Sequence, residues 1–87
     1  MNTVQVEKVW EENKDKIRAF CKGFLEDEDA ALVMSVRVRY LLDEKIKAFP
    51  HLFENENDIK SFLYSKAKIK CLKRLSYLKF MGYGTKN

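Results

Sequence analysis

Apolar residues recur at Val6, Val9, Trp10, Ile17, Phe20, Cys21 and Phe24, at spacings of three, four and seven. That period places them on one side of a helix. It predicts a first helix over residues 4–25, with Gly23 near its end. Four acids follow in a row, Glu26 to Asp29. Carboxylates are stabilising beside the positive end of a helix dipole, and either Asp27 or Asp29 suits an N-cap. A second helix is therefore expected over 28–49. Within it, Val36-Arg37-Val38-Arg39-Tyr40 alternates as a strand does, whereas Val33, Val36, Tyr40 and Ile46, with Leu41 and Leu42, also fit a helix. No other segment offers a strand partner, and a lone strand leaves its backbone groups unpaired. Helix is the expectation. Pro50 stops it, because the residue before proline is pushed out of helical geometry. Residues 51–57, HLFENEN, read as a loop. Asn55 or Asn57 caps a third helix over 57–80, with Asp58 in its first turn. Ile59, Phe62, Leu63, Cys71, Leu75 and Leu78 form its buried stripe. Gly82-Tyr83-Gly84 ends it, and 82–87 reads as a frayed tail. The expected fold is all-α: one three-helix domain over residues 1–81.

Composition fits that picture. The chain has 87 residues, 46% hydrophobic and 34% charged, with three Gly and one Pro. It suits one folded helical domain with a thin core. No apolar run approaches the ~20 residues of a membrane span, and MNTVQVEKVW lacks a charged-then-apolar leader pattern. The chain reads as a cytoplasmic protein with no membrane partner.

Charge changes the picture more. Residues 1–58 hold 9 basic and 13 acidic side chains, and residues 59–87 hold 8 basic and no acidic ones. Lys60, Lys66, Lys68, Lys70, Lys73, Arg74 and Lys79 share the third helix, spread over the surface its apolar stripe leaves free. Their span is about 30 Å at 1.5 Å rise per residue, a density that approaches the phosphate spacing of nucleic acid. Tyr64 and Tyr77 add π-faces and hydroxyls suited to a base or a sugar. A lysine-rich face that is merely solvated is the plainer reading of the same residues.

Catalytic chemistry finds little footing, and the chain reads as a non-enzyme without metal or cofactor. His51 is the only histidine, and no spacing pairs it with a cysteine. Cys21 and Cys71 sit among apolar neighbours with no C-x-x-C, and read as reduced, partly buried thiols; a disulfide or a metal site is the remaining reading. The acidic run lacks the alternating ligands and glycine of a calcium loop. The tail GYGTK lacks the spacing of a phosphate loop.

Asn57-Asp58-Ile59-Lys60-Ser61-Phe62-Leu63-Tyr64, then Ala67-Lys68, Lys70-Cys71-Leu72 and Leu75, resemble region two of the extracytoplasmic-function sigma factors of bacterial RNA polymerase. The Bacteroidetes type is the nearest. Residues 8–79 are compatible, with the specific part at 57–75. The resemblance implies a three-helix domain that binds promoter DNA and core RNA polymerase in transcription initiation. It implies that residues 51–57 capture a base flipped from the minus-ten element, with Phe53, Asn55 and Asn57 as aromatic and amide partners. Lys60, Tyr64, Lys66, Lys68, Lys70, Lys73 and Arg74 would meet the DNA. Arg37, Tyr40 and Leu41, on the second helix, would meet the polymerase largest subunit. An anti-sigma factor is a further implied partner. The family's helix-turn-helix domain for the minus-thirty-five element has no residues here, so an isolated, diverged or truncated member is expected.

The chain departs from the family pattern at Met34 to Arg37, at Ile69, at Lys73 and at Ser76. An alternative follows: a sigma-like fold acting as a protein-interaction module, without promoter reading.

Overall fold

The computed structural model describes residues 3–80, which form three helices: α1 (Thr3–Leu25), α2 (Glu28–Ala48) and α3 (Glu56–Phe80). The segment VRVRY is helical throughout. The expected tail, 82–87, lies outside the described residues.

Local chemistry sets each boundary. Glu26 turns the chain with a left-handed φ of 53°, and its N–H donates to the Lys22 carbonyl at 2.8 Å. Asp27 follows in extended geometry as the N-cap of α2, its Oδ1 accepting from the Ala30 N–H at 2.9 Å. Of the two candidates, Asp27 takes the cap because its backbone is extended, while Asp29 already lies in the first helical turn. At the other end, Phe49 N–H returns to the Lys45 carbonyl at 2.9 Å before Pro50. Asn55 caps α3: its Oδ1 accepts from the Asp58 N–H at 3.0 Å, and Asp58 Oδ2 accepts from the N–H groups of Glu54 at 2.9 Å and Asn55 at 3.4 Å. This reciprocal arrangement is a capping box. It starts α3 at Glu56, one residue earlier than the periodicity suggests.

Three narrow stripes make the core: Val6, Val9, Ile17 and Cys21 from α1, Ala31, Val38 and Leu42 from α2, and Ile59, Leu63, Ala67 and Cys71 from α3. All three helix pairs pack on one another. Lys8 near Glu56 and Asn13 near Tyr64 show α1 and α3 running parallel, with α2 antiparallel between them in the chain. Among the described residues, two polar side chains lie inside the core and are satisfied: Asn13 Nδ2 donates to the Val9 carbonyl and Ser35 Oγ to the Leu32 carbonyl, each at 2.8 Å. Phe53, from the loop, closes one end edge-on to Phe62 at 5.5 Å.

The apolar face of α2 differs from the expectation. Val33, Val36 and Tyr40 are exposed, and Ala31, Ser35, Val38 and Leu42 face inward. Two of those four inward positions, Ala31 and Ser35, carry small side chains. The larger apolar residues, one side of α2 away, are left in solvent.

Candidate functional site

The inward column of α3 is Ile59, Leu63, Ala67 and Cys71, four residues apart. Lys66, Lys70 and Arg74 share that spacing one position earlier, so they form a second column that climbs about 6 Å per step along one flank. That flank faces α2. Met34 and Arg37 of α2 line a single cleft of about 270 Å³ with Lys70, Lys73, Arg74 and Tyr77. Lys60 and Lys68 share the column of Tyr64, whose hydroxyl bonds to α1, so they belong to the opposite flank. Lys79 stands past Cys71, the last fully buried position of α3. The seven basic residues thus divide between two flanks, and one flank gains a cation from outside the helix.

The row of cations on the α2 flank makes no direct ion pair among the described residues. Among the described residues, Arg37, Lys66, Lys70, Lys73 and Arg74 take part in no ion pair. Five acids are paired with other cations: Glu56 with Lys8 at 3.3 Å, Glu11 with Lys14 at 2.7 Å, Glu28 with Lys22 at 2.6 Å, and Glu7 and Asp43 with Arg39. The nearest acids to the row are Asp27 and Asp29, which line a hollow with Arg37 and Arg74 without an ion pair to either. Aromatic rings steady two of the row instead. Lys66 Nζ lies 5.6 Å from the Phe62 ring centroid, and the Arg74 guanidinium lies 5.7 Å from that of Tyr77.

Two residues expected to face a ligand pack into the fold. Tyr64 is half-buried, with its hydroxyl 3.3 Å from Asn13 Oδ1 and its ring edge-on to Phe20 at 6.0 Å. Its hydroxyl and ring are both engaged by α1. Phe53 is 5% exposed and packed on Phe62, so it cannot stack on a flipped base as it stands. Both were expected at the interface because aromatic residues in a polar stretch suit either role, and only packing separates them. Asn55 spends its side-chain oxygen on the α3 cap, while Asn57 is exposed in the first turn.

On α2, Arg37 and Tyr40 are exposed and Leu41 is half-buried. Arg37 and Tyr40 border a shallow apolar hollow with Leu32, Val33 and Val36. Val36 and Tyr40 are 58% and 61% exposed, an unusual load of apolar surface for one small helix face. Arg39, two residues from Arg37, points the other way. It joins Glu7 of α1 and Asp43, with its guanidinium 5.6 Å from the Trp10 ring centroid.

Cys21 and Cys71 are free, buried thiols. Burial, with a smaller contribution from the neighbouring Cys71, pushes the Cys21 thiol up to about 12, and burial raises Cys71 as well. Neither is a ready nucleophile. No group of three or more His, Cys, Asp or Glu side chains could hold a metal ion among the described residues. Nor, among them, is any helix long and apolar enough to cross a membrane. Tyr77 was legible as a companion of the α3 cations, but Arg37 was expected at a polymerase surface and not beside them. The four-residue spacing of Lys66, Lys70 and Arg74 was a visible signal for one flank, but nothing in the chain told which part of α2 lies beside it.

Comparison with protein-family models, with curated proteins and with solved structures finds no match.

Proposed function

We propose that this chain is a nucleic-acid-binding domain of the sigma-region-two type, acting on promoter DNA by binding, without a catalytic step. One observation carries the reading: Lys66, Lys70, Lys73 and Arg74, joined by Arg37, stand together on one flank with no acidic partner among the described residues. Unpaired cations in a row attract phosphates by releasing condensed counterions. Base capture by Phe53 is not part of the proposal, since its ring is buried. Asn57 and Tyr77 remain exposed beside or along α3 to meet a nucleotide.

The test is fluorescence titration of a single-stranded minus-ten oligonucleotide, a random strand and a duplex over a salt series. Binding by four or five cations predicts a log–log salt slope of about −3 to −3.5 on the single strands and about −3.5 to −4.5 on the duplex. Lys70→Glu with Arg74→Glu should abolish binding with helicity unchanged by circular dichroism. Lys60→Glu with Lys68→Glu, on the other flank, should weaken it far less. Full binding by the first variant would end the reading.

The apolar ridge Leu32, Val33, Val36 and Tyr40 supports a second reading, a protein-interaction module. The sigma resemblance would make core RNA polymerase its partner, or an anti-sigma factor. Pull-down of polymerase subunits by the intact chain, lost on Val36→Asp, would favour it. Equal weak binding of every oligonucleotide would favour it over promoter reading.

A further inference from the structure

The α2–α3 cleft has a shape that a strand-tracking surface does not need. Arg37 approaches it from one helix, and Lys70, Lys73 and Arg74 from the other. Four cations thus surround one hollow of about 270 Å³ instead of following a line. Met34 supplies apolar wall and Tyr77 an exposed ring with a hydroxyl. Lys70 is half-buried, its aliphatic stem packed along the cleft. A set of like charges held together in this way raises the energy of the fold until an anion fills it.

We propose that this cleft binds a compact polyphosphate, a diphosphate or triphosphate group that presents several negative charges to one point. The arginines supply planar forks suited to paired phosphate oxygens, and the lysines supply point charges. Tyr77 and Met34 border the opening, where the organic part of such a ligand would rest. A single monoanion is a poorer match, because it cannot reach cations contributed by both helices. Polarity along the cleft is set by Asp27 and Asp29. They share the adjoining hollow of about 330 Å³ with Arg37 and Arg74, and this directs the anion toward Lys70, Lys73 and Tyr77. The inference stands on the cleft and does not require that nucleic acid binds. Where both hold, polyphosphate and oligonucleotide compete for Lys70 and Arg74, and the cleft becomes a means of regulating the interface.

The experiment is calorimetric titration of the intact chain with inorganic tripolyphosphate, beside thermal denaturation in tripolyphosphate, diphosphate, orthophosphate and sulfate at one ionic strength. Expected are one saturable site and a rise in Tm that follows it, since a ligand bound only by the folded state stabilises it. The order should be tripolyphosphate, diphosphate, then orthophosphate and sulfate. Arg37→Gln and Lys73→Gln each change an exposed side chain outside the core and should weaken tripolyphosphate at least about tenfold. Lys60→Gln with Lys68→Gln, on the α1 flank, should leave it within about twofold. The proposal is overturned if sulfate matches tripolyphosphate, if no saturable heat appears, or if the α1-flank variant loses as much as Arg37→Gln. Oligonucleotide titration of the same samples reads the nucleic-acid proposal separately: oligonucleotide binding without tripolyphosphate binding ends the cleft proposal alone, and the reverse ends only the other.

Discussion

Tyr64 of α3 donates its phenolic hydroxyl to the carboxamide oxygen of Asn13 of α1, 3.3 Å away, inside the seam between the two parallel helices. Asn13 is buried, and its amide nitrogen is already committed to the Val9 carbonyl. Tyr64→Phe removes the one donor its oxygen has among the described residues. We expect a loss of about 1–2 kcal/mol in urea denaturation, with oligonucleotide affinity unchanged. A large drop in affinity at full stability would return Tyr64 to the interface.

Phe53 anchors the loop before α3 to the core. Buried against Phe62, it should cost about 3–5 kcal/mol when cut to alanine, a large share of a small domain's stability. Phe53→Leu retains most of the buried volume, so the folded variant should bind a minus-ten strand as the parent does. Selective loss of that strand, with the random one still bound, would show the ring leaving its pocket to stack.

Arg37 and Arg39 test the register of α2 against each other. Arg39 contacts Glu7, Asp43 and Trp10 with its side chain 19% exposed. Arg39→Met should destabilise by about 1–2 kcal/mol through lost ion pairs and ring contact, less at high salt. Arg37→Met should be neutral to within about 0.5 kcal/mol, or stabilising, because it relieves repulsion in the cleft. Equal losses from the two would mean that the faces are misassigned.

Glu26 holds a left-handed backbone that L side chains disfavour and glycine adopts freely. Its N–H contact to Lys22 is a backbone bond, so glycine preserves it. Glu26→Gly should raise stability by about 0.5–1 kcal/mol by equilibrium denaturation. A loss would mean that the carboxylate contributes more than the turn costs.

Cys21 makes the fold sensitive to alkali. Its thiol is pushed up to about 12 from an ordinary 9.0, chiefly by burial. The folded state therefore retains a proton that the unfolded chain releases. This contribution is complete below about pH 9 and is lost progressively as pH rises toward 12. Cys21→Ala should flatten the fall of stability over that window relative to the parent, at a small overall cost in packing. Aromatic disulfide reagents at pH 8 should react with both thiols only as fast as the protein opens; rapid labelling of the native protein would contradict their burial.

The helices themselves were legible because their signals are local. Apolar spacing, Asp27, Pro50 and the Asn55–Asp58 pair each act within a few residues, and their physics does not depend on the rest of the chain. Cys21 and Cys71 were readable as buried thiols for a similar reason, having only apolar neighbours in sequence. The resemblance in 57–64 was carried by Phe62, Leu63 and Tyr64, which the structure shows half-buried or buried.

What the chain determined by itself was three helices, their approximate extents and the excess of positive charge on the last. Helical period fixes the angles between side chains on one rod, but says nothing about which neighbour each angle meets. Tertiary packing settled that: small Ala31 and Ser35 faced inward while Val36 and Tyr40 were left in water, and Tyr64 was pulled beneath α1. It turned Arg39 onto α1 and Arg37 onto the α3 cations, a separation of two residues in sequence that becomes opposite sides of a helix in space.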